Sequence, residues 1–115
     1  MTNILDIIDA ILGTSNTFCG ILPETPDALT ALFEYQGAPP QQFFDATALS
    51  YNVQVRTRAK RADEAYTRAL DAQNKLNRYV SDTFVIRQVS SIIDIGQDTK
   101  NRKEYTVNFR IDMKE

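Results

Sequence analysis

The stretch "SYNVQVRTRAKRADEAYTRAL", residues 50 to 70, changes period in its middle. Up to Ala59 polar and apolar residues alternate, the two-residue repeat of a half-buried strand. Tyr51, Val53, Val55, Thr57 and Ala59 point one way; Asn52, Gln54, Arg56, Arg58 and Lys60 point the other. From Arg61 the repeat becomes helical. Ala62, Ala65, Tyr66, Ala69, Leu70, Gln73, Leu76 and Tyr79 or Val80 trace one face of a helix that reaches about Tyr79. Alanine dominates that face, so the helix can lie close to a sheet. Its start is poorly capped, because Lys60 and Arg61 bring no acceptor; Asp63 and Glu64 in the first turn compensate through the helix dipole. A strand that hands directly to a helix opens a βαβ or split-βαβ unit, and the rest of the fold follows from its flanks.

Toward the C-terminus, "TFVIRQVSSIIDI", residues 83 to 95, reads as a fourth strand. Its alternation slips at "SSII", which predicts a bulge or burial on both faces. "GQDTKNRK" is a polar turn. The last strand is the cleanest, with Tyr105, Val107, Phe109, Ile111 and Met113 inward and Thr106, Asn108, Arg110, Asp112 and Lys114 outward. Toward the N-terminus, "ALTALFEYQG", residues 28 to 37, is the second strand, with Ala31, Phe33 and Tyr35 on one face. It is set between "PETPD" and "GAPPQQ", whose prolines lack the amide donor and restrict their predecessors. Residues 38 to 48 have no clean period and read as a loop carrying Phe43 and Phe44. "TFCGIL", residues 17 to 22, is a short first strand. Ahead of it, Ile4, Leu5, Ile7, Ile8, Ile11 and Leu12 share the face of a helix capped by Thr2 or Asn3 and stopped by Gly13. The predicted fold is α+β: one domain spanning residues 1–115, a mixed sheet with two helices packed on it, in the order α-β-β-β-α-β-β.

With 115 residues, 43% hydrophobic and 24% charged, the chain has the balance of an ordinary globular domain with a real core. No apolar run approaches the roughly 20 residues that span a bilayer, and the acidic start is not that of a secretory signal. One cysteine allows no internal disulfide and fits a cytosolic folding compartment. The net charge of -2 is unevenly placed: residues 1 to 50 hold six acids and no cation, and residues 51 to 115 hold all 13 cations against nine acids. Such asymmetry suits nucleic-acid binding, or head-to-tail self-association.

The usual catalytic parts are missing. Without histidine there is no imidazole base, no Ser-His or Cys-His pair and no zinc set. Cys19, inside an apolar strand, reads as a small buried hydrophobe. Gly13, Gly20, Gly37 and Gly96 form no phosphate-cradling pattern. Asp94 and Asp98 around Gly96 hint at an oxygen-ligand loop, but the calcium-loop spacing is absent and a hairpin turn explains them better. No enzyme, cofactor or metal site is expected. The row Arg56, Arg58 and Lys60 has three readings: a solvated face, a nucleic-acid surface or a protein interface. Tyr51 alternates away from it, which weakens a stacking platform for bases. Arginine, whose planar fork pairs with carboxylates, keeps the protein interface open.

"FEYQGAPPQQFF" (33–44), followed by "YNVQVRTRAKRADEAYTRALD" (51–71) and then "DIGQDTKNRKEYTVNFRI" (94–111), resembles the tail terminator or minor capsid family of tailed bacteriophages. "KRADEAY" departs from the family in lacking a polar cap, and "IIDIGQD" in its less apolar lead-in; these leave the subfamily open. The resemblance implies a non-catalytic virion protein, made in the host cytoplasm, with no membrane partner, at the tail–neck junction. There it forms a hexameric ring on the head-proximal end of the tail tube, ends tube polymerisation and meets a head-completion or neck protein. DNA passes through the lumen without base-specific contacts. On this view Arg56, Arg58 and Lys60 belong to an intersubunit or ring-to-partner surface, or else face the lumen. Phe43 and Phe44 are a second candidate contact, unless they fold back onto the core. The alternatives are a small binding module for nucleic acid or protein, and another phage neck or head-completion component.

Overall fold

Helix α1, Ile4–Leu12, forms where Ile4, Leu5, Ile8 and Leu12 fall on one buried face. The computed structural model describes residues 4–35 and 50–113. Strand β1, Thr17–Cys19, is shorter than the sequence predicts. Gly20 gives its N–H to the Leu32 carbonyl at 2.7 Å and then turns the chain away at φ 78°, a conformation glycine adopts freely. Strand β2, Leu29–Tyr35, runs parallel to β1 and antiparallel to β3, Ser50–Ala59.

Helix α2 spans Ala62–Leu76. It ends before Tyr79 because Asn77 is extended, at ψ 127°, and Arg78 takes a positive φ of 65°. Its N-cap, Arg61, makes no side-chain capping bond, as predicted. The buried face is Ala65, Ala69, Ala72 and Leu76, while Ala62 and Tyr66, predicted on that side, are exposed. These small residues bring the helix so near the sheet that the Thr57 hydroxyl donates to the Ala65 carbonyl at 2.9 Å.

The predicted fourth strand is divided into β4, Phe84–Gln88, and β5, Ile93–Gln97, both antiparallel to β6, Lys103–Met113. The division falls on the predicted slip. Val89 donates to the Asn108 carbonyl, and the Ser90 hydroxyl accepts the Asn108 N–H, both at 2.9 Å. A side chain stands in for the strand's own carbonyl, and the backbone steps away until Ile93. The sheet order is β1-β2-β3-β6-β4, with β5 also on β6. Strands β3 and β4 are each antiparallel to β6 between them, so β3-α2-β4 is a split βαβ unit.

Both helices cover one face of the sheet, α1 over β1 and β2, α2 over β3 and β6. The core joins Ile8, Leu12 and Leu76 to Val53, Val55, Val107, Phe109 and Ile111. Each such burial contributes about 1.5–3 kcal/mol, which helices this short need in order to persist.

Candidate interaction surface

The outward residues of β3 lie on the face away from the helices. Arg56 is opposite Ala31 and Thr106, and Arg58 is opposite Leu29 and Glu104. The row is therefore where the alternation puts it, but its three cations differ in fate. Arg56 is half-buried and ion-paired with Glu104. Lys60 is exposed and pairs with Asp27 at 3.3 Å. Arg58 is 2% exposed.

Arg58 is turned into the protein. Its Nη2 donates to the carbonyls of Pro23 (2.6 Å), Pro26 (2.9 Å) and Glu24 (3.2 Å), and its Nε to that of Asp27 (3.2 Å). Burial, then the charge of Arg102, pulls its pKa below the ordinary arginine value. Four carbonyl dipoles answer that cost. The loop thus held includes a cis Thr25–Pro26 peptide.

A second buried arginine grips the same loop. Arg102 donates to the Glu24 carbonyl at 2.6 Å and to Asp27 Oδ1 at 3.3 Å, and its Nε reaches Asp98 Oδ2 at 2.8 Å. Burial works against its charge, but the hydrogen bond and charge of Asp98 outweigh it, and its pKa is raised. Lys100 adds an exposed pair to Glu24 at 2.6 Å, and Glu24 titrates low because of that bond. The sequence reading passed over Arg102. The signal was present: the outward set of the last strand, continued back by two-residue steps, reaches Glu104 and then Arg102.

Asp94 and Asp98 act as turn caps. Asp98 Oδ1 accepts the N–H groups of Lys100 and Arg102, each at 2.9 Å, and Asp94 accepts Gly96 N–H at 2.8 Å and Lys103 Nζ at 2.6 Å. The hairpin explanation accounts for both carboxylates. Cys19 is half-buried, with its Sγ 3.7 Å from the Leu5 carbonyl. Phe43 and Phe44 lie outside the described residues. Among the described residues no cluster of Cys, Asp and Glu could hold a metal ion, and no helix is long and apolar enough to cross a membrane. The arrangement is a loop fixed by two buried arginines, with Lys60 and Lys100 paired to its acids from outside.

A family model described as "Bacteriophage tail terminator protein" matches residues 5–115. No curated protein matches the chain. Among solved structures, a chain of the "Virion of native gene transfer agent (GTA) particle" superposes with a TM-score of 0.64 at 9% identity, covering 95% of this chain and 85% of that one. At that identity the likeness is one of fold.

Proposed function

The chain belongs to the bacteriophage tail terminator family, and on that premise we propose that it is a structural, non-catalytic part of the virion, acting as a single domain. It caps the head-proximal end of the tail tube as a hexameric ring, stops tube growth and joins the tail to the head or neck protein. The observation that carries this reading is the family match over nearly the whole chain. The fold likeness to a chain of a virion particle is consistent with it.

Within the ring, Arg56 and Lys60 contribute to the intersubunit or partner surface, together with the loop that Arg58 fixes. Phe43 and Phe44 are a second contact. Arg58 itself is a poor probe of this role, because reversing a buried charge would unmake the loop before it tested any interface. Lys60→Glu is the sharper variant. Loss of the ring from a folded protein, or an intact ring that fails to join the tail, supports the surface; an intact ring with normal tail joining removes Lys60 from it.

The reading as a whole is tested by molar mass. Light scattering over a concentration series, alone and with purified tail tubes, is paired with negative-stain images. A mass about six times the 13.0 kDa of one chain, or rings seated at tube ends, is expected. A protein that stays monomeric and ignores tube ends would overturn the terminator role.

A further inference from the structure

The acidic first half of the sequence gathers at one end of the sheet. The elements of the acidic half, α1, β1 and β2, occupy one flank of the sheet, and β4, β5 and the end of α2 occupy the other. Most charges are already used within the chain. Among the described residues, Arg78 and Arg87 are the two cations whose side chains make neither a hydrogen bond nor an ion pair. Every other described Lys and Arg makes at least one. Both line one open depression beside the β4 edge, with Asn77, Gln88, Val89 and Ser90. Arg87 also faces Arg110 directly across the strand pair. Like charges so placed repel, and the nearby Asp112 is already held by Arg110 and Ser50. The depression is short of a carboxylate.

The opposite flank has carboxylates to offer. Among the described residues, Asp6 and Asp9 on α1 and Glu34 at the end of β2 make no ion pair. The Cys19 Sγ lies 3.7 Å from the Leu5 carbonyl, which sets α1 beside the edge strand β1; burial first, then the charges of Asp9 and Asp6, raise the thiol's pKa. Among the described residues two further acids make no ion pair: Glu64 on α2, and Asp82 on the turn before β4, on the same flank as the depression but not lining it. Apolar surface lies along the same edge, on and beside β5: Val89 is 52% exposed, Ile93 41% and Ile95 42%. Apolar side chains around a charge pair exclude water and strengthen it.

We propose that the Arg78–Arg87 depression receives the acidic α1 flank of a second copy of this chain, with Asp6 and Asp9 as the entering carboxylates. This rests on the ring reading, since a closed head-to-tail ring needs two different, complementary surfaces on each subunit. It places the seam on the two lateral flanks of the sheet, and leaves the Arg56–Lys60 surface free for the tube or neck.

A charge swap tests it. Four proteins are compared by light scattering and by occupancy of tail-tube ends: the wild type, Arg78→Glu with Arg87→Glu, Asp6→Lys with Asp9→Lys, and all four substitutions together. Each single-flank reversal is expected to raise the concentration needed for the ring by roughly tenfold or more, and the combined swap to restore it. Circular dichroism melts confirm folding. If the lysine pair fails to fold, Asp6→Asn with Asp9→Asn removes the charge without reversing it and must still weaken the ring. Wild-type rings with a reversal that changes nothing, or with a combined swap that recovers nothing, would overturn the docking and leave the ring standing. No wild-type ring even on tube ends would remove the ring and the docking with it.

Discussion

Arg58 gives its guanidinium to four main-chain carbonyls contributed by residues more than thirty positions earlier in the chain. Arg58→Ala leaves those acceptors unpaired and is expected to cost about 2–4 kcal/mol of stability, read from the urea midpoint. Arg58→Lys keeps the charge but not the fork and should lose about half as much. An alanine variant as stable as the wild type would mean the loop finds other donors. Alternation alone placed this arginine on the outer face. It could not show that the loop covers it, since nothing local to β3 reports what a distant segment does. Asp98 makes a pH-dependent contribution. Its carboxylate accepts the Arg102 N–H, the Lys100 N–H and the Arg102 side chain, and its pKa is depressed. A depressed carboxylate stabilises fully above its unfolded value, about 3.9, and that share is lost as pH falls through the lower folded value. Thermal melts of Asp98→Asn should therefore fall less steeply than wild type below about pH 4; parallel curves would show that Asp98 is not responsible.

At the scale of elements, α2 packs on the sheet through Ala65, Ala69 and Ala72, with Leu76 at its last turn. Ala69 is fully buried, so Ala69→Leu should overpack the interface and cost about 1–3 kcal/mol in denaturant unfolding. A neutral result would reveal slack between helix and sheet. This packing was legible in the sequence as an alanine-rich helical stripe, though the observed face is rotated enough to include Ala72 and shed Ala62. Five strand positions and both helices also follow from period alone. The exact division of the C-terminal edge does not, because it depends on the Ser90 hydroxyl meeting Asn108 across the sheet. The alternation marked the place of that break without supplying its cause. The short β1 is a similar case: a three-residue parallel strand is held by its partner more than by its own composition.

For the whole molecule, the topology converts an order along the chain into an order across the sheet. Since the proposed seam sets Asp6 and Asp9 against Arg78 and Arg87, association through it should weaken as salt rises, because the screening length falls from about 10 Å at 0.1 M to about 3 Å at 1 M salt. Sedimentation across that range should show the proposed ring losing mass. Association that holds or tightens in high salt would point instead to the exposed isoleucines of β5. Neither the strand order nor the surviving unpaired charges could be read from sequence, because both depend on which distant residues meet. The doubly gripped loop carries one more consequence. Arg58 reads carbonyl oxygens, and every amino acid brings one. Ile21, Leu22 and Thr25 are not held by the two arginines, so their identities can drift while the backbone keeps its course. A lineage can thus rewrite the side chains of this loop without having to relearn its shape.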